Sequence, residues 1–188
     1  MAARLALLCH ASTAELRRAR FPGDEPLDAA GEHETQALKG RLPAFSRSWT
    51  SPALRARQTA QLLDITAVEE PALADIDYGR WKGSSMADIA EREPKAIAAW
   101  LADPSARPHG GESIRDLTAR LAQWLDRQLA MGGRSLAITH QAVIRAAIAH
   151  ALGAGALSFW RIDIEPLSLT EFNSDGKRWN LRQRSAAD

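Results

Sequence analysis

Arg4-Leu-Ala-Leu-Leu-Cys9-His10-Ala11-Ser12-Thr13 is the stretch on which the reading of this chain turns. Leu5 to Leu8 is an apolar run without alternation, and it predicts a strand covered on both faces, as central strands of α/β sheets are. The run stops abruptly at His10 and is followed by small polar residues. Ligands of open α/β sheets bind beyond the carboxyl ends of the strands. A titratable imidazole at that end is a site candidate, although a strand–loop junction can equally carry a plain surface histidine.

The same arrangement recurs further along. Ser135-Leu-Ala-Ile-Thr139 reads as a second buried strand, ends in His140, and leads into a helix through Val143, Ile144, Ala147, Ile148 and Leu152. Ser46 to Thr50 reads as another strand and runs directly into Ser51-Pro52-Ala53-Leu54-Arg55-Ala56-Arg57-Gln58-Thr59-Ala60. Here Ser51 is a good N-cap and Pro52 occupies the first helical position. Free N–H groups, with Arg55 in or near the first turn, suit a bound phosphate; an ordinary capped helix with surface arginines is the plainer use of the same residues.

Between these landmarks, Glu15 to Pro26 is a polar loop holding Arg17, Arg18 and Arg20. Asp28 can cap a helix running to about Leu42. A short strand is expected over Val68 to Ala72, a loop with aromatic anchors over Leu73 to Gly83, and helices over Met86 to Arg92 and Pro94 to Leu101. After a Pro/Gly-rich loop, Ile114, Leu117, Leu121, Trp124, Leu125 and Leu129 form a regular helical stripe that belongs to the core. Leu167 to Phe172 and Arg178 to Arg184 flank Asn173-Ser-Asp-Gly176, a hairpin signal. With no repeats, low-complexity tract or internal linker, a single domain over 1–188 is expected.

Composition agrees with an ordinary globular chain: 45% hydrophobic, 25% charged, formal net charge +1 over 188 residues. So even a balance gives no field for nucleic acid or a membrane surface. One cysteine excludes an internal disulfide and a cysteine-rich zinc site. The apolar start is too short for an export signal, and His150, Gly153 and Gly155 interrupt the alanine-rich segment that follows Ala146. The expectation is a cytoplasmic enzyme or binding protein.

If the three strands are parallel neighbours, His10, Arg55 and His140 meet at one edge of the sheet. Two imidazoles and a guanidinium by a helix N-terminus make a site for a phosphoryl group, with a neutral histidine as nucleophile and the cations on the transferring oxygens. Zinc is the competing use of two histidines, but no third ligand stands at motif spacing and Arg55 would repel a cation. Cys9 as nucleophile is disfavoured, because adjacent strand residues face opposite ways and His10 is badly placed to activate it.

Taken in order, these motifs resemble the histidine phosphatase superfamily over nearly the whole chain. His10 and Thr13 match its Arg-His-Gly-Glu-Thr signature, Leu27 and Gly31 its Asp-x-x-Leu-x-x-x-Gly segment, and Ser51 to Ala60 its Ser-x-x-x-Arg-Ala-x-x-Thr-Ala motif. Asp75 to Gly83 resembles its Glu-x-x-Phe-Gly-x-Trp-Glu-Gly loop, and Gly110-Gly111-Glu112-Ser113 and Thr139-His140 complete the series. The resemblance implies a phosphoglycerate mutase-like fold, a three-layer α/β/α sandwich with a mostly parallel central sheet. It also implies metal-free, cofactor-free hydrolysis of a small phosphomonoester. His10 would be the nucleophile, Asp75 the proton donor to the leaving alcohol, and His140, Arg55 and Thr13 would attend the phosphoryl group. The short span from Gly83 to Gly110 implies a phosphatase rather than a mutase. Cys9 stands in place of the family's first arginine, Ala11 in place of glycine, Asp75 in place of glutamate, and Leu16 where many members carry asparagine. These departures motivate two further expectations. One is a loop arginine, Arg18 or else Arg17 or Arg20, replacing the missing cation. The other is an impaired relative that binds phospho-ligands without efficient turnover.

Overall fold

The computed structural model describes residues 2–183. β1 (Ala3–Cys9) is fully buried beyond Arg4, as an apolar run without alternation requires. Its side chains divide between the two faces of the sheet. Leu5, Leu7 and Cys9 enter one apolar cluster, and Ala6 and Leu8 enter another. After β1 come α1 (Ala14–Arg17), α2 (Ala29–Leu38), β2 (Arg47–Thr50), α3 (Leu54–Leu62) and β3 (Val68–Glu69). The chain continues through α4 (Met86–Arg92), α5 (Pro94–Ala102), α6 (Ile114–Met131), β4 (Gly133–Thr139), α7 (Gln141–Ala151), β5 (Leu169–Ser174) and β6 (Trp179–Arg182).

These strands form a six-stranded sheet in the order β3-β2-β4-β1-β5-β6. β3, β2, β4 and β1 run parallel, while β5 and β6 add antiparallel at one edge. Cys9 lies opposite Thr139 and Thr50 opposite Ile138, so β1, β4 and β2 end together. α6 and α7 pack on one face, where Leu117, Leu121, Trp124, Val143 and Ile144 meet the odd residues of β1. Ala56 and Ala60 of α3 cover the other face against Leu136 and Ile138. This is the layered, mostly parallel architecture expected. A third, smaller cluster of Phe21, Trp81, Ile89, Ile97 and Trp100 ties α4 and α5 together.

Several boundaries depart from expectation for identifiable reasons. α2 ends at Leu38 rather than near Leu42, because Gly40 turns the chain at φ +74° and frees Leu42 to pack beside α3. Residues 71–73 form a 3-10 turn led by Pro71, so β3 stops at Glu69. The hairpin pairs Ser174 with Trp179, and Gly176 takes the positive φ its turn needs. Arg184, the expected end of the last strand, lies outside the described residues. Among the described residues no helix is long and apolar enough to cross a membrane.

Candidate active site

The edge where β1, β4 and β2 end is where the chemistry collects. His10 follows β1, Ser51 follows β2 and His140 follows β4, and all three side chains are buried. The His10 and His140 rings meet edge-on with centroids 5.0 Å apart. Arg55, in the first turn of α3, is also buried and reaches between the elements. Its Nε donates to His10 Nε2 at 3.2 Å, Nη2 to Asp75 Oδ2 at 2.7 Å, and Nη1 to the Gly23 carbonyl at 2.8 Å. Asp75 Oδ2 also lies 3.5 Å from His140 Nδ1. The structure thus brings His10, Arg55, Asp75 and His140 into one cluster.

The orientation of His10 follows from its neighbours. Nδ1 lies 2.7 Å from the Ala11 carbonyl, which can only accept, so Nδ1 carries the hydrogen and Nε2 keeps its lone pair. Arg55 donating to Nε2 demands the same tautomer. Burial, the adjacent His140 and the Arg55 charge together push the His10 pKa down to about 3, so the ring is neutral across the physiological range. Burial, Arg55 and Arg120 likewise hold His140 well below the ordinary histidine value. Thr59 steadies the turn after His10, accepting from Ala11 N–H at 3.1 Å and donating to the Arg55 carbonyl at 2.8 Å.

Ser51 serves the site differently from expectation. α3 begins at Leu54 with Ala53 as its N-cap, so Ser51 is not the cap and Pro52 precedes the helix. The Ser51 hydroxyl instead lies 2.7 Å from His140 Nε2 and accepts from Ala53 N–H. The free Leu54 N–H is taken by Asp24, from a loop remote in sequence, at 2.7 Å. Glu112 stands just before α6. Ser113 and Asp116 form the capping box there, and Glu112 pairs with Arg120 at 2.6 Å and 2.9 Å. Arg120 in turn donates to the carbonyls of Ala72, Ala74 and Asp75, clamping the segment that carries the Asp75 carboxylate.

The site opens into a cleft of about 340 Å³. His10, Thr13, Arg55 and Asp75 lie at its floor, and Phe21, Met86, Trp100, Phe159 and Trp160 supply apolar walls. Trp100 stacks edge-on against Phe21 and Trp160 at centroid distances of 5.6 Å and 4.5 Å. Thr13 caps α1, donates to Glu25 at 3.3 Å and lines the cleft. Glu25, Arg20, Gln141 and Arg145 also line it. Of these, sequence reasoning named only Arg20, because Glu25 and Arg145 sit in stretches whose local pattern reads as loop and as core-facing helix. A larger groove of about 590 Å³ lies beside β5 and β6. It carries Asp163, Glu165 and Glu171 against Arg182, an acidic balance unsuited to phosphate.

Two loop arginines fall elsewhere. Arg18 is not among the cleft residues: its side chain is 64% exposed and sits 3.7 Å from Glu15. α1 ends at Arg17, so Arg18 projects from its exposed end. Arg17 is held by Asp28 at 2.6 Å and by the Ser12 hydroxyl at 3.0 Å. Cys9, also weighed as a nucleophile, is fully buried with the core of α6 and α7. Burial and the Asp75 charge raise its thiol pKa to about 12, leaving it inert. Among the described residues no group of three or more His, Cys, Asp or Glu side chains is set to hold a metal ion.

A family model described as the histidine phosphatase superfamily, branch 1, matches residues 5–186. The chain belongs to this superfamily. It is 33% identical over 186 residues to a protein of Mycobacterium tuberculosis described as bifunctional, covering 92% of this chain and 51% of that one. The chain thus spans about half the length of the first curated relatives it matches. It is 28% identical over 173 residues to the adenosylcobalamin/α-ribazole phosphatase of Salmonella typhimurium, covering 86% of each. The vanadate (VO3) complex of a mycobacterial glucosyl-3-phosphoglycerate phosphatase superposes with a TM-score of 0.82 at 26% identity, covering 96% of this chain and 97% of that one. The relatives therefore include phosphatases, and the fold is theirs.

Proposed function

We propose that this chain, acting as one domain, hydrolyses a small phosphomonoester through a phosphohistidine formed on His10, with no metal or cofactor. The observation that carries the reading is the state of His10: neutral, buried, with Nδ1–H committed to the Ala11 carbonyl and Nε2 turned to Arg55. A neutral imidazole with its lone pair fixed toward a cation is a nucleophile beside a phosphoryl-binding group.

In the first step, Arg55 exchanges its hydrogen bond to Nε2 for the phosphoryl oxygens. His10 Nε2 bonds to phosphorus as the bond to the ester oxygen breaks, and a protonated Asp75 passes its proton to that oxygen, releasing the alcohol. Arg55 and His140 hold the equatorial oxygens, and the Thr13 hydroxyl borders the same space. In the second step, water attacks phosphorus, the P–Nε2 bond breaks, Asp75 takes the proton back and inorganic phosphate leaves. The aromatic wall of Phe21, Trp100, Phe159 and Trp160 supports a leaving alcohol with apolar or planar surface. That the relatives include phosphatases for small phosphorylated metabolites supports the same class.

The test is acid-quench trapping with an aryl phosphate and a panel of phosphorylated metabolites. The expected result is turnover with an acid-labile, base-stable adduct, both lost in His10→Ala. Full activity in His10→Ala would overturn the reading. Cys9 favours one second reading, a phospho-ligand binder with little turnover. That reading predicts tight phosphate binding without adduct formation in the unmodified protein.

A further inference from the structure

The charges gathered around His10 do not balance for a phosphate ester. Both histidines are held neutral. Arg55 is the buried cation, and it already faces two carboxylates, Asp75 at 2.7 Å and Glu25 at 3.8 Å. With Asp75 protonated for its part as acid, a dianionic phosphoryl group entering there would meet one guanidinium and the Glu25 carboxylate. Phosphate sites are built on an excess of cations, so a second cation has to come from the cleft wall.

Among the described residues lining the cleft, two further cations stand, Arg20 and Arg145. Arg20 is 43% exposed and lies 3.7 Å from Glu15. Arg145 differs on each count. It lies on α7, which starts directly after His140, and its side chain is only 24% exposed. Its Nε is buried without a hydrogen-bond partner. Its ion-pair partner, Asp163 at 3.7 Å, is itself 94% exposed and so holds it weakly. Phe159, 5.7 Å from the guanidinium carbon, backs the group within the cleft. Arg145 and Arg55 line the same cleft.

We infer that Arg145 is the second phosphoryl-binding cation of this site, supplying from α7 the guanidinium that Cys9 cannot supply from β1. None of the three arginines of the Glu15–Pro26 loop takes this part. This inference rests on the proposal that the cleft binds a phosphoryl group, but it does not require that His10 be phosphorylated.

The experiment measures the affinity of inorganic phosphate for the purified protein by calorimetry, beside the rate of adduct formation. Arg145→Met keeps the apolar stem against Phe159 and removes the charge, and Arg145→Lys keeps the charge without the fork. Arg145→Met should weaken phosphate binding by about 10²–10³-fold, the scale of losing one preorganised donor. Arg145→Lys should lose clearly less, and Arg20→Ala should stay within about threefold of the parent, since an exposed paired arginine contributes little. Thermal melting checks that each variant is folded. Parent-like phosphate affinity in a folded Arg145→Met, or a larger loss in Arg20→Ala, would overturn the inference. The two readings fail separately. An adduct formed at the parent rate in Arg145→Met removes Arg145 and leaves His10 in place. Weakened phosphate binding without any adduct in the parent keeps Arg145 and removes the phosphohistidine.

Discussion

At the scale of single residues, the site works through which atoms are already committed. Asp75 Oδ1 accepts the Ile76 N–H at 3.0 Å while Oδ2 faces Arg55 and His140. The carboxylate is therefore oriented by three partners although it is one methylene shorter than glutamate. Asp75→Asn preserves the shape and removes the proton. It should slow alkyl phosphates by about 10²–10⁴-fold, the usual worth of a general acid, and slow an activated aryl phosphate far less. Equal losses on both substrates, in steady-state kinetics, would remove Asp75 from proton transfer. Cys9 yields a second prediction. With its thiol pKa raised to about 12 and no solvent access, it should resist a thiol reagent at pH 8 in the folded protein and react once denatured. Rapid labelling of the native protein would contradict the buried placement.

At the scale of elements, two supports hold the catalytic side chains from behind. One is the Glu112–Arg120 pair, which joins α6 to the carbonyls of Ala72, Ala74 and Asp75. Removing the guanidinium strands Glu112 and three carbonyls together. Arg120→Met should cost about 1–3 kcal/mol, the desolvation penalty for polar groups left unpaired. It should also lower kcat more than it raises KM, because Asp75 loses its backbone anchor. Urea unfolding and kinetics measure the two effects, and a variant with parent kinetics would confine Arg120 to stability. The other support is the approach of α2 to the turn after His10. A Cβ on Gly31 would fall 2.4 Å from the Ser12 carbonyl oxygen, a backbone atom that cannot move aside. Gly31→Ala should therefore push α2 away from the Ser12 backbone, with lost stability and lost turnover together.

At the scale of the whole molecule, burying neutral histidines ties stability to pH. In the unfolded chain His10 takes up a proton near the ordinary value of 6.5, and in the folded protein only near 3. Stability from this group is therefore complete above about pH 6.5 and drains as pH falls toward 3. His140, also depressed, adds to the same slope. Urea midpoints between pH 4 and pH 8 should fall on the acid side, and more shallowly in His10→Gln. A parent midpoint flat down to pH 4 would contradict the burial of both rings. The topology favours that burial, because β1 and β4 are adjacent interior strands and His10, at the end of β1, lies in a cleft walled by Phe21, Trp100 and Phe159.

Local pattern by itself marked the buried strands, the two histidines at their ends and Arg55 beside them, and the family resemblance added the layered fold and Asp75. Each is legible because it depends on an unbroken apolar run or a motif at fixed spacing, and because parallel neighbours bring their carboxyl ends to one edge. Only the tertiary structure decided which groups serve the site from a distance. Asp24 caps α3 from a loop thirty residues away, Ser51 turns from helix cap to histidine partner, and Glu112 holds Arg120 in place as a clamp. Arg145 and Glu25 reach the cleft while Arg18 does not. The reason is physical: hydrogen-bond partners and charge neighbours are set by which elements pack together, and that proximity leaves no periodic trace in the chain.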